Sequence, residues 1–73
     1  MFTIYTATNE GNTYRLWEDN TGLIVEKVSG EISQCLEFAN KVDNWYDQGF
    51  EIYSAIEFAG ATVVSATASE VVA

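Results

Sequence analysis

Two glycine-containing breaks, NEGN at residues 9–12 and DNTG at 19–22, cut the first 29 residues into three strand-length pieces. The pieces are FTIYTAT (2–8), TYRLWE (13–18) and LIVEKV (23–28), rich in β-branched and aromatic side chains. Connections this short join antiparallel neighbours only, because a parallel pair needs a crossover of about a dozen residues or more. The first third of the chain is therefore expected to be a three-stranded meander, with Gly11 and Gly22 at its turns.

The period then changes. Ser29 and Gly30 break the alternation, and Ile32, Cys35, Leu36, Phe38, Ala39, Val42, Trp45 and Tyr46 follow at helical spacing. They fall in an arc of roughly half a helix, with Ser33, Glu37, Asn40, Lys41 and Asn44 opposite. Ser29 is the expected N-cap, Glu31 suits the first turn, and Gly49 is the expected C′ residue. Beyond it, FEIYSAIEF (50–58) alternates strictly and predicts a strand. Phe50, Ile52, Ser54, Ile56 and Phe58 would face the helix, and Glu51, Tyr53, Ala55 and Glu57 would face out. Gly60 permits a turn into a further strand, ATVVSAT (61–67), with residues 66–73 expected to fray or dock on a partner.

The expected fold is one α+β domain over residues 1–73. An antiparallel or mixed sheet, β-β-β-α-β with one more strand as the variant, carries one helix on one face. Its other face would be uncovered, with Tyr5, Arg15, Trp17, Glu51, Tyr53 and Glu57 on it.

A chain of 73 residues buries only about 60% of its unfolded surface, so its core is marginal. Cys35 is the one cysteine and there is no histidine, so neither an intrachain disulfide nor a Cys/His zinc site supports it. Packing is left, or self-association as a homodimer, with 48% apolar residues to build from. No cofactor or metal site is expected. EDNTG (18–22) offers calcium-friendly oxygens but lacks the spacing of a calcium loop, and reads as a turn.

Without histidine, Ser-His-Asp and Cys-His catalysis fall away, and Cys35 on the apolar helix face reads as a small buried hydrophobe. No phosphate-cradling or nucleophile-elbow motif occurs, so the chain is read as a non-enzyme. Eleven acids against three bases give a net charge of -8. Such a field repels nucleic acid and anionic membranes and attracts basic proteins. MFTIYTAT lacks the basic and apolar regions of a signal peptide, and no apolar run reaches membrane-spanning length, so a cytoplasmic location is expected.

These readings lead to a small acidic binding protein whose partner is basic, a nucleic-acid-binding enzyme being the sharpest case. Inhibitors of phage or mobile-element type, among them anti-restriction and anti-CRISPR proteins, act in this general way, an analogy of size and charge alone. The candidate partner-binding residues are Asp43, Asp47, Glu51, Glu57, Glu18, Asp19 and Glu26, with Trp17 and Tyr53. The alternative is an assembly module that oligomerises through its open sheet face or C-terminal strand.

Overall fold

The computed structural model describes residues 2–69. Its elements are β1 Phe2–Asn9, β2 Asn12–Asp19, β3 Gly22–Ser29, α1 Ile32–Asp47, α2 Ile52–Phe58 and β4 Thr62–Ser69. The strands form one antiparallel sheet in the order β3-β2-β1-β4, with both helices on one face. The two-layer α+β class and the opening meander are as the sequence predicts. The first hairpin turns on Glu10 and Gly11, at φ +52° and +81°. Two successive left-handed residues give a turn whose twist matches that of the strands.

The segment 50–58 departs from the expectation: it holds a helix, not a strand. Ile52, Ala55, Ile56 and Ala59 are all buried, at the i, i+3, i+4, i+7 spacing of one helical face. Ile52 and Ile56 satisfy both periods, so alternation alone cannot separate the two readings. Ala55, assigned outward on a strand, is in the core, while Phe50 and Phe58, assigned inward, are 41% and 53% exposed. The last strand comes from residues 62–69 and pairs with β1. Of the stretch expected to fray, residues 66–69 belong to β4, and residues 70–73 lie outside the described ones.

The core is made by Ala7, Tyr14 and Leu16 from the sheet and Cys35, Phe38 and Val42 from α1, closed by the buried face of α2. Phe38 stacks on Tyr14 with ring centroids 4.1 Å apart, worth about 0.5–1.5 kcal/mol beyond the area buried. The Tyr14 hydroxyl is buried and makes no hydrogen bond among the described residues. Burial, aided by the neighbouring Cys35 thiol, pushes its pKa up to about 12, so the phenol stays neutral.

The start of α1 is tied to β2 by one side chain. Asn12 Oδ1 accepts from the Glu31 backbone N–H and Asn12 Nδ2 donates to Gln34 Oε1, both at 2.8 Å. Gly30 makes room for this latch: it sits at φ +125°, and a Cβ there would fall 2.0 Å from Asn12 Oδ1. The N-cap is Glu31, whose carboxylate accepts from the N–H groups of Ser33 and Gln34; Ser29, the expected cap, ends β3. At the other end Gly49, at φ +99°, occupies the expected C′ position.

Candidate acidic interface

Glu18 and Asp19 close β2, where the sheet passes beneath the C-terminal half of α1. Tyr46 reaches down from that helix and donates its hydroxyl to Glu18 Oε2. The hydrogen bond to Glu18 raises the Tyr46 pKa, helped by desolvation and by the negative charge of Glu18, Asp47 and Asp19. Asp47 is next to Tyr46 in sequence, and Asp43 lies one turn before it. Asp43 is itself raised, first by desolvation and then by the charge of Asp47. Glu18, Asp19 and Asp47 thus come together about Tyr46, with Asp43 one helical turn before Asp47, and all four acids are exposed.

The three bases are held elsewhere. Arg15 pairs with Glu26 at 3.3 Å on the helix-free face of the sheet, the one ion pair among the described residues. Lys27 lies 3.5 Å from the carbonyl oxygen of Gly30. Lys41 borders a polar cleft of 330 Å³ with Glu10, Asn12, Gln34 and Glu37. No basic residue occupies the last turn of α1, where the helix dipole would favour one; Asp47 sits there instead.

The same side of α1 carries apolar surface. Ile32 and Leu36 precede Asp43 and Asp47 at spacings of four, seven and four residues, which keeps all four on one stripe. Ile32 and Leu36 were expected in the core but are 62% and 61% exposed. The sheet and α2 bury the side of α1 that carries Cys35, Phe38 and Val42. The side of α1 bearing Trp45 is covered by α2, and the Leu36 side is left to solvent.

The other candidate residues do not join this corner. Glu26 and Trp17 lie on the helix-free face, Glu26 neutralised by Arg15 and Trp17 half-buried beside Ile24. Glu51, Tyr53 and Glu57 belong to α2 and its cap, and all three are exposed. Tyr5, expected on the open face, points to the helical side, where its ring meets Tyr53 at 6.1 Å. Strand pairing explains this: Tyr5 is opposite the fully buried Leu16. Two features escape sequence reasoning. One is Tyr46 as the organiser of the acids. The other is a cluster of Trp45, Phe50 and Phe58, with centroids 5.1–5.5 Å apart and both Phe rings exposed. The signal for the second was the helical spacing of Ile52, Ala55, Ile56 and Ala59, which frees the two phenylalanines from the core.

Chemically, the corner offers negative charge without a built cavity. Asp19 is committed to its turn, where its carboxylate accepts from the Thr21 N–H at 2.7 Å and hydroxyl at 2.6 Å. Among the described residues no group of three or more acids, cysteines or histidines is placed to hold a metal ion. No helix among them is long and apolar enough to cross a membrane. No protein-family model matches the sequence, and neither a curated protein nor a solved structure is significantly similar to it.

Proposed function

We propose that this chain is a non-enzymatic binding protein that uses Glu18, Asp19, Asp43 and Asp47 to dock on the basic surface of another protein. The observation that carries this reading is the placement of Asp43 and Asp47. Each is disfavoured where it stands: by the helix dipole, by the other acid four residues away, and for Asp43 by desolvation. A helix selected for stability alone would carry a base there. Local electrostatic cost with no compensating ion pair among the described residues is what a surface kept for a partner would carry.

Ile32 and Leu36 on the same stripe supply an apolar anchor, which a charged patch by itself lacks. The net charge of -8 steers basic partners in and anionic ones away. The partner class that fits is a protein with a basic nucleic-acid site, which this corner would occupy in place of the phosphate backbone. Inhibitors of phage or mobile-element type are the functional class this describes.

The test is affinity capture with the tagged protein beside its Asp43→Lys/Asp47→Lys variant, with retained proteins identified by mass spectrometry. The unmodified chain is expected to retain a basic nucleic-acid-handling protein that salt elutes and added DNA or RNA displaces. The variant should lose it while its circular dichroism stays unchanged. Equal retention by a folded variant would sink the proposal.

A further inference from the structure

The sheet has two edges, β3 and β4, and they differ in kind. β3 carries Glu26 and Lys27 at its centre, and its pairing with β2 is broken by an irregularity between Thr13 and Tyr14. Charges and bulges are the devices by which edge strands avoid pairing with other chains. β4, TVVSATAS, has neither a charge nor a proline. It carries one irregularity as β3 does, at Val64, between the pairs Thr6–Ser65 and Ala7–Val63, so the two edges differ in charge and not in regularity. From Val64 to Ala68 every side chain is exposed on both faces, because α2 covers only the Ala61–Val63 end. Those side chains are small, so nothing bulky keeps another backbone away. Among the described residues β4 has no strand on its outer side, and the outward half of its N–H and C=O groups is unpaired.

We infer that β4 is a homodimerisation edge, pairing antiparallel with β4 of a second copy of this chain. Charge selects that occupant. Residues 58–69, between Glu57 and Glu70, are the longest stretch of the sequence without a charged residue, and β1, next to β4, carries none either. The charged strand residues all lie on β2 and β3: Arg15, Glu18, Asp19, Glu26 and Lys27. Among the described residues a basic partner finds no carboxylate to pair with on β4. Two copies at net -8 repel one another through every surface that carries their acids, and the neutral half of the sheet is where they meet with least repulsion.

Antiparallel self-pairing is isologous, so it closes at two subunits. It extends the sheet to eight strands in the order β3-β2-β1-β4-β4-β1-β2-β3 and keeps the two helical layers on one side. The acidic corners then point outward at the far ends. The inference is independent of the basic-partner reading, because it uses the opposite edge.

Sedimentation velocity over a concentration series tests it, on the unmodified chain, on Ser65→Glu/Thr67→Glu and on Trp17→Ser. Ser65 and Thr67 are exposed on the helix-free face, opposite Thr6 and Ile4, so the monomer fold tolerates the charges. The unmodified chain is expected to dimerise with rising concentration, and the glutamate variant to associate at least about tenfold more weakly. Trp17→Ser should dimerise as before. A chain that stays monomeric into the high micromolar range overturns the inference. So does a dimer indifferent to the two glutamates, or one dissolved by Trp17→Ser alone, which would move the interface to the open sheet face. Amide exchange gives a reading that needs no variant: β4 amides should gain protection with concentration, and unchanged exchange refutes the pairing.

Discussion

Asp43 shows at the scale of one residue how stability has been traded away at the acidic corner. Its folded-state pKa is raised by desolvation and by Asp47, above the roughly 3.9 of a free aspartate. A carboxyl group with a raised pKa binds its proton more tightly in the folded chain than in the unfolded one. Stability is therefore lost as pH rises through the window between the two values, and the loss is complete above it. Asp43→Asn should stabilise the protein at neutral pH, and the gain should vanish well below the roughly 3.9 of a free aspartate, where the carboxyl is protonated in both the folded and the unfolded chain. Urea denaturation of both chains at the two pH values checks this. A variant less stable at neutral pH would show that the carboxylate has a favourable partner after all. Glu31 and Asp19 act in the opposite sense. Hydrogen bonds from Ser33 and from Thr21 lower their pKa values, so their contribution is present at neutral pH and is lost as pH falls through the lowered values.

At the scale of the element, α2 is the segment where local pattern and tertiary structure disagree, and two neighbouring positions separate the readings. Ile56 is fully buried and Phe58 is more than half exposed. Truncating Ile56 to alanine should cost about 2–5 kcal/mol, as for a buried aliphatic side chain. Phe58→Ala should cost about 1–2 kcal/mol, below the roughly 3–5 of a buried Phe, because its ring loses only its contacts with Trp45 and Phe50. On a strand with both residues inward, Phe58→Ala would be at least as damaging as Ile56→Ala. Denaturant midpoints of the two variants decide between them. The helix forms although it is only seven residues long, far below what is stable alone. Packing on α1 and β4 holds it, with Gly60 at φ +98° ending it.

At the scale of the whole molecule, charge is divided by position. The β2–β3 half of the sheet and the C-terminal half of α1 gather acids, while β1 and β4 carry none. Ten of the eleven acids have no ion-pair partner among the described residues or lie outside them, since Arg15–Glu26 is the one pair described. Self-repulsion on that scale weakens when salt shortens the Debye length from about 10 Å at 0.1 M to about 3 Å at 1 M. The urea midpoint should therefore rise with added sodium chloride. A midpoint that falls or stays level would mean that the acids are already compensated within the fold.

The meander, the long helix and the acidic character follow from local rules. Turn glycines, period-2 and period-3.6 spacing and a count of charges are all visible within a few residues of each other, and they lead directly to β1, β2, β3 and α1. Three matters depend on contacts that no local pattern encodes. Ile52 and Ile56 fit a strand and a helix equally, and the helical spacing that Ala55 and Ala59 add is too weak a signal to outweigh the alternation until packing on α1 and β4 buries all four. Ile32 and Leu36 lie in the apolar arc of α1, but the way α1 seats on the sheet and α2 decides which part of that arc is buried. Glu18 and Asp19 meet Asp47 across 28 to 29 residues of chain, and Tyr46 joins them only because the helix crosses the second hairpin. The order of charges along the chain is a local property; their distance through space is a property of the fold.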